Sequence, residues 1–561
     1  MKLLELFTEL SLHPKNAAEL KGLILQLAVQ GKLTAKWREE YPDVEPASEL
    51  LKRIEEEKER LIKEGKIKKE KVIPEIKENE EPCALPEKWK WLRLGTITYN
   101  FGQKTPDIPF EYIDVASIDN SLGIIKHDLN VIEPSNAPSR ARKKVQKGCV
   151  IYSTVRPYLL NIACVDRDFN HEAIASTAFA VLNPFVDMSA KFLYLVLRSP
   201  FFVDYVESCM KGVAYPAIND QNLLSGPIPL PPVKEQHAIV TTVNQLFGEV
   251  EQLEQLTQER IQLKHDFATS ALQRLVQAGN INGEWAAVQQ HFHTFFNEKP
   301  NVKKLRETIL QLAVQGKLTT HWRRENPDTE PATELLKRIT TEKQQLIQTG
   351  KIKKEKPLPP IKEDEIPFEL PEGWVWCRLG DAGFTQTGNT PPKNIPDYFG
   401  DFIPFIGPAN ISNQRIVYPT EGLSKKGLKV GRLIPRNSIM MVCIGGSIGK
   451  CNINEIDVSC NQQINTITPL FNLPGLINFI CQSPFFQDEL INKSTGSATP
   501  IINKGKWELI PIPIPPYQEQ HAIVATVNTL MALCDALEQE VRQQESRVEE
   551  LMRSCVREVV E

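Results

Sequence analysis

Apolar residues recur at helical spacing from Asn16 to Gln30, and Gly31 follows as a stop. Pro46 to Glu64 repeats the pattern with a charged outer face, and Gly65 ends it; the loop between holds Trp37 and Pro42. Further on the period changes. CVIYSTV, IASTAFAVL, SIMMVCIGG and INTITPL are β-branched and aromatic runs broken by Gly and Pro, which predicts strands. Short helical stretches follow them, MSAKFLYLVLRS and LPGLINFICQS. After the proline-rich GPIPLPPVKEQ, apolar positions fall at Ile239, Val243, Leu246, Val250 and Leu253. After IPIPIPPYQEQ they fall at Ile523, Val527, Leu530, Cys534, Leu537 and Val541, then at Val548, Met552, Cys555 and Val559. This alternation of fours and threes is the spacing of coiled-coil helices. About 46 residues at ~1.5 Å each make a rod of roughly 69 Å. Two such rods in one chain either pair antiparallel or pack on their neighbouring domains.

The pattern is written twice. A shift of 285 residues carries Ile24–Gly95 onto Ile309–Gly380, matching ILQLAVQGKLT, Trp37 with Trp322, ELLKRI, GKIKKEK and LPExWxWxRLG. SPFF at Ser199 and Ser483, PAIN at Pro216 with PIIN at Pro500, and EQHAIV at Glu235 and Glu519 continue it at a shift of 284. Between Gly95 and Ser199, and between Gly380 and Ser483, the copies look unrelated. A duplicated frame with divergent inserts predicts one job done twice and two different jobs, each insert being a compact mixed α/β domain. Two similar modules held apart by a rod suit double-stranded DNA, with half-sites near one helical turn, ~34 Å, apart. Unlike inserts predict unlike half-sites.

Length and composition narrow this. The chain has 561 residues, 41% hydrophobic and 24% charged, the profile of a globular protein of several domains. No apolar run reaches the length of a membrane span. The opening MKLLELFTELSLHPK lacks a long apolar core and a small-residue cleavage site, so a cytoplasmic protein is expected. The eleven cysteines are scattered, without CxxC or Cys/His pairing, which predicts buried thiols rather than disulfides or zinc.

A net charge of −4 argues mildly against a generic nucleic-acid binder, but local patches decide that question. No acid lies between Glu133 and Asp166, a stretch holding Arg140, Arg142, Lys143, Lys144, Lys147 and Arg156. None lies between Glu421 and Glu455, which holds Lys425, Lys426, Lys429, Arg432, Arg436 and Lys450. One such strip reads as a solvated loop; its recurrence in two dissimilar inserts points to phosphate. Candidate base readers in the first insert are Gln103, Lys104, Thr105, Ser153, Thr154, Arg156 and Tyr158. In the second they are Gln386, Thr387, Asn389, Thr390, Lys393, Asn394, Asn461, Gln462 and Gln463. Lys66, Lys68, Lys69 and Lys71, with Lys351, Lys353, Lys354 and Lys356, fit either a phosphate or partner contact or a soluble linker.

Catalytic signatures are missing. GGSIGKC at Gly445 has the wrong spacing for a phosphate loop, and no [DN]PP[YF] tetrapeptide of amino-methylating enzymes occurs; IPPY at Ile514 lacks the polar first residue. His237 and His521 recur beside Gln236 and Gln520 at the start of a long helix, with no Cys or Ser nucleophile adjacent. A capping or partner-docking role is expected of these four. The chain is read as one that binds and positions, with no metal or cofactor of its own. A stand-alone DNA methyltransferase or nuclease, and a protein scaffold without a DNA role, are the alternatives.

One known family carries this set of words. QLAVQGKLT, LPEGWVWCRLG, TGNTPPKNIPDYFGDFIPFIGPANI, SPFF, GSATPIIN and PIPIPPYQEQHAIV resemble the specificity subunit of Type I restriction-modification systems, often called HsdS. KGCVIYSTVRPYL, SPFFVDYV, GVAYPAIN and PIPLPPVKEQ in the first copy are similar to the same family. The resemblance spans nearly the whole chain. It implies an α+β fold: two mixed α/β target recognition domains separated by long helices that pair as an antiparallel coiled coil, in a pseudo-two-fold repeat. The expected parts are helical region 1–84, recognition domain 85–231, long helix 232–280, helical region 281–368, recognition domain 369–515 and long helix 516–561.

The resemblance further implies that each domain reads half of a split site. Two adenine-N6 methyltransferase subunits would dock on the helices and use S-adenosylmethionine. Restriction subunits would add ATP- and Mg-dependent translocation and cleavage, in a prokaryotic cytoplasm. The chain departs from minimal members in carrying a full helical segment ahead of both copies.

Overall fold

The first amphipathic segment is a helix, α1 (Asn16–Val29), followed by Gly31 at φ +70°. A Cβ on Gly31 would come within 2.7 Å of the Pro86 ring, so a left-handed turn pressed against a proline leaves room for glycine alone. Trp37 lies on a short helix, Ala35–Glu40, rather than in a loop. The helix α2 (Ala47–Lys63) buries Ala47, Leu50, Ile54 and Leu61 and leaves its charged face in solvent.

The computed structural model describes residues 16–68, 73–77, 80–212, 215–354, 356–496 and 499–560. The opening fifteen residues, Lys69 and Lys71 lie outside these, as do the side chains of Met552, Cys555 and Val559. Two units form: residues 1–259 with 545–561, and residues 260–544.

The first copy has β1 (Lys90–Arg93) in the duplicated frame, and its insert contributes β2 (Thr98–Tyr99), β3 (Phe110–Ile113), β4 (Val131–Ile132), β5 (Ala141–Val145), β6 (Val150–Ser153), β7 (Ile162–Cys164), β8 (Glu172–Ser176) and β9 (Phe179–Pro184). Helices α3 (Ala190–Leu197) and α4 (Pro200–Cys209) and strand β10 (Pro227–Leu230) lead into the 45-residue α5 (Val233–Gln277). The second copy has α6 (Lys299–Val314) and α7 (Ala332–Gln348), then β11 (Val375–Arg378), β12 (Gly383–Thr387), β13 (Phe399–Gly400), β14 (Ile403–Ile406), β15 (Gly422–Leu423), β16 (Ile439–Val442), β17 (Cys451–Ile453), β18 (Ser459–Cys460) and β19 (Ile464–Pro469). Helices α8 (Pro474–Gln482) and α9 (Pro484–Lys493), strand β20 (Pro511–Ile514) and the 44-residue α10 (Tyr517–Val560) close the chain.

The inserts that look unrelated as text share one four-stranded sheet and differ at the edges of a second, which is β4-β3-β8-β5 in the first and β13-β15-β14-β18 in the second. The sheet β2-β9-β6-β7 of the first recurs as β12-β19-β16-β17 of the second. The parallel pair β3·β8 recurs as β14·β18, and in the duplicated frame the antiparallel ribbon β1·β10 recurs as β11·β20. The central strands VIYS (β6) and IMMV (β16) are buried at every position. Burial asks only for apolar side chains of the right size, so sequence identity is free to drift. Among the described residues seven cysteines are buried packing residues: Cys149, Cys377, Cys443, Cys451, Cys460, Cys481 and Cys534.

At ~1.5 Å per residue each long helix runs about 68 Å. Ile239, Val243 and Val250 of α5 are buried in the first unit. Ala268, Ala271, Leu272 and Leu275 of the same helix join Ile523, Val527, Cys534 and Val541 of α10 in the core of the second. Each unit therefore holds the opening stretch of one long helix and the closing stretch of the other. Among the described residues no helix is long and apolar enough to cross a membrane.

The repeated words bond to one another. Glu235, fully buried at the head of α5, accepts hydrogen bonds from Thr34 Oγ1 (2.7 Å), Arg38 (2.6 Å) and Trp89 Nε1 (2.8 Å). Glu519 of α10 accepts the same set from Thr319 (2.6 Å), Arg323 (2.5 Å) and Trp374 (2.8 Å). Gln26 and Gln311, inside the duplicated ILQLAVQGKLT, accept from the backbone N–H of Phe201 and Phe485 in the two SPFF segments, both at 3.1 Å. One knot in each copy thus fastens helical region, insert and long helix.

Gln236 and Gln520 correct an expectation. They are fully buried, not docking residues. Gln236 accepts from Ser189 N and donates to Pro231 O; Gln520 accepts from Leu473 N and donates to Pro515 O. A buried amide without partners costs free energy, so these side chains recur because the frame needs them. His237 and His521 do reach the surface.

A second ion pair, Arg378 with Glu365, is sensitive to pH. Arg378 is 4% exposed and grips Glu365 through two bonds of 2.8 Å, which holds the Glu365 carboxyl well below its usual value, at about 2. A carboxyl depressed in the folded state stabilises above its unfolded pKa, and that contribution is lost as pH falls toward the folded value. Glu365→Gln is expected to cost about 1 kcal/mol at pH 7, since the carboxylate is partly exposed and Arg378 keeps three carbonyl acceptors. Denaturant titrations should show the gap between variant and wild type closing between pH 4.5 and about 2; a constant gap would refute the charge argument.

Candidate nucleic-acid interface

In the first insert four backbone hydrogen bonds assemble one edge. Thr177 N donates to Arg140 O (2.8 Å), and Thr154 N to Ala178 O (2.8 Å). Ile218 N donates to Thr154 O (2.9 Å), and Arg156 N to Pro216 O (2.8 Å). Gln103 bridges to Lys143 on the outer side of β5, so Gln103, Lys104 and Thr105 lie beside Arg142 and Lys143.

Several candidates are spent inside the fold. Ser153 and Thr154 are buried at 1% and 8% exposure, and their hydroxyls donate to Val155 O and Ala178 O. They hold the end of β6 and present nothing to a base. Lys104 pairs with Asp107 (2.6 Å) and Glu172 (2.7 Å), Lys143 with Asp220 (3.1 Å), and Arg142 donates to Ala141 O. The acid-free strip is also not one patch. Lys147 precedes β6 and pairs with Asp168, while Arg156 follows it, a strand's length away. Arg140, Lys144, Arg156 and Tyr158 remain without an ion pair among the described residues, and Tyr158 is 41% exposed.

Arg156 and Leu160 flank a single 3-10 turn at φ +49° and +52°. Neither is glycine, and such a backbone costs an ordinary residue about 1 kcal/mol. The Arg156 guanidinium lies 4.7 Å from the ring centre of Tyr215, a residue sequence reading missed. The sign was there: Tyr215 stands in the repeated GxAxPxIN where the second copy has Thr499.

In the second insert the polar candidates knit together. Thr387 Oγ1 donates to Asn465 (2.8 Å), Thr390 Oγ1 to Gln462 (2.6 Å) and Asn461 to Gln463 (3.1 Å). Asn389 donates to Val430 O (2.8 Å) and Gln386 to Leu433 O (2.9 Å). Gly388 sits where a side chain would collide with the Cys460 and Asn461 carbonyls, so the loop lies flat on β18. The basic residues divide. Lys426 pairs with Asp397 (3.0 Å), Arg432 donates to Thr387 O (2.7 Å), and Lys425 lies 5.2 Å from the Phe402 ring centre. Lys393, Asn394, Lys429, Arg436 and Lys450 are exposed, but Arg436 precedes β16 and Lys450 follows it.

The sequence family described as "Type I restriction modification DNA specificity domain" matches residues 125–263 and 371–545. The EcoAI specificity subunit of a Type I restriction enzyme from Escherichia coli is 33% identical over 92% of this chain and 90% of its own length. The chain belongs to the Type I restriction-modification specificity subunits. The EcoEI specificity subunit, also from Escherichia coli, is 31% identical over 92% of this chain and 90% of that protein. A solved chain from work on complex assembly and conformational transition of the type I R-M system aligns at a TM-score of 0.52, with 22% identity, over 85% of this chain and 99% of that one. At that identity it supports the fold. Within this specificity subunit the two matched segments take in Arg140 through Tyr158 and every second-insert candidate, whereas Gln103, Lys104 and Thr105 precede the first.

Proposed function

We propose that each insert reads one half of a bipartite, asymmetric double-stranded DNA site. The first would do so through the edge of Arg140, Lys144, Arg156 and Tyr158, the second through the network around Asn389, Thr390, Asn461 and Gln462. The observation that carries this is one four-stranded sheet used twice, with different polar and basic side chains in the loops around it. The long helices set the spacing and dock adenine-N6 methyltransferase subunits, with exposed His237 and His521 in the docking surface. Catalysis belongs to the partners: S-adenosylmethionine on methyltransferase subunits, ATP and Mg on restriction subunits. The absence from the sequence of a [DN]PP[YF] tetrapeptide and a phosphate loop supports a non-catalytic chain, and the complex would act in the prokaryotic cytoplasm.

Methylome sequencing of cells carrying this chain with a cognate methyltransferase tests the proposal. A bipartite motif with two unlike halves is expected; a palindromic motif, or none, overturns it. Phosphate contacts have a separate signature. Arg140→Glu and Lys429→Glu should each weaken DNA binding by the methyltransferase complex at all sequences alike. Each should also flatten the slope of log K against log salt by ~0.9. An unchanged slope would place these side chains off the DNA.

A further inference from the structure

The turns after β6 and β16 share a hydrogen-bonding pattern. Arg156 N donates to Pro216 O at 2.8 Å and Gly445 N to Pro500 O at 2.9 Å. Val155 bridges to Ala217 as Ile444 does to Ile501. Each turn closes at 3.0 Å, Leu159 N on Arg156 O and Ile448 N on Gly445 O. Each also ends on a second left-handed residue, Leu160 or Gly449. The segment it leans on, Pro216–Asn219 or Pro500–Asn503, belongs to the repeated frame, whereas the turn belongs to the divergent insert. At one tip, then, a common element lies beside a variable one.

The second copy builds this turn with glycine at both left-handed positions, where the conformation is free of strain. The first copy builds it with arginine and leucine. A strained backbone persists where the surrounding structure and the side chain's task require it. The task is visible. Arg156 is half-buried, stacked on Tyr215, its Nε enclosed without a partner, and its guanidinium makes no hydrogen bond among the described residues. The ring of Tyr215, itself 70% exposed, lies over the guanidinium carbon and leaves the terminal N–H groups of the fork for a bidentate acceptor. The O6 and N7 atoms of a guanine in the major groove have that geometry.

Resting on the half-site reading above, we infer that Arg156, locked by its left-handed backbone and the Tyr215 ring, discriminates one base pair in the half-site of the first insert. The matching turn Gly445–Gly449 lacks that side chain, which makes the two half-sites differ at the corresponding position.

The test uses the intact methyltransferase complex on two duplex libraries, one randomised in each half-site. Arg156→Gly removes the side chain and installs the residue the second copy already uses, so the melting temperature should not fall. Discrimination at one base pair of one half-site is expected to drop roughly 5- to 150-fold, the range of a bidentate base contact. The other half-site stays as in wild type. Arg156→Lys keeps the charge but not the fork and should lose the same discrimination. Leu160→Gly relieves the second strained residue and should leave the profile unchanged. The inference is overturned if Arg156→Gly slows methylation of all sequences equally, or leaves the profile intact. Failure of the half-site reading shows separately, as a wild-type profile without two specified halves.

Discussion

Glu519→Ala is expected to lower the stability of the second unit by about 3 kcal/mol. The carboxylate is fully buried and satisfies Thr319, Arg323 and Trp374 together. Its removal strands a hydroxyl and an indole N–H in the interior and leaves Arg323, 21% exposed, to find water. Glu519→Gln keeps an acceptor for Trp374 and should cost about half as much. The matching change, Glu235→Ala, should weaken the first unit instead. Because two units are involved, a single unfolding transition is not assumed, and hydrogen exchange resolved by unit is the proper measurement. A loss below ~1 kcal/mol, or one spread evenly over both units, would show that the knot is not the fastening described.

Gly388→Ala should have the next largest effect, felt in recognition more than in folding. The new Cβ would enter the space of the Cys460 and Asn461 carbonyls. Relief requires the loop to lift, breaking Gly388 N to Ile464 O (3.0 Å) and Asn389 N to Cys460 O (2.9 Å). Overpacking of this kind costs about 1–3 kcal/mol. The displaced loop carries Asn389 and Thr390, so sequence preference in the second half-site should relax by roughly tenfold or more. The first half-site serves as the internal control: equal losses in both halves would mean a general assembly defect.

The frame was legible because its requirements are local and sharp. Gly31 stops α1 as a left-handed residue must, and the heptad positions Ile239 and Val243 are buried. The strands of the inserts were legible as strands, but not as the same domain twice. Loops of unequal length separate them, and wholly buried strands such as VIYS and IMMV share hydrophobicity rather than letters.

Side-chain roles were hardest to read. Gln236, His237, Gln520 and His521 look alike in sequence, yet the glutamines face inward and the histidines outward, a difference of one residue on a helix. A run of basic residues gave no hint that Lys104 and Lys143 are neutralised by Glu172 and Asp220, which arrive from far along the chain. Arg156 was a candidate among many; its left-handed backbone and the Tyr215 ring, both invisible in a one-dimensional pattern, set it apart.

The division of the last helix between the two units has a consequence for synthesis. The first unit includes residues 545–561, whereas the second is the uninterrupted stretch 260–544. A ribosome therefore delivers the whole of the second unit before it supplies the final piece of the first. The half of the protein that emerges earliest is therefore the last to receive its final residues.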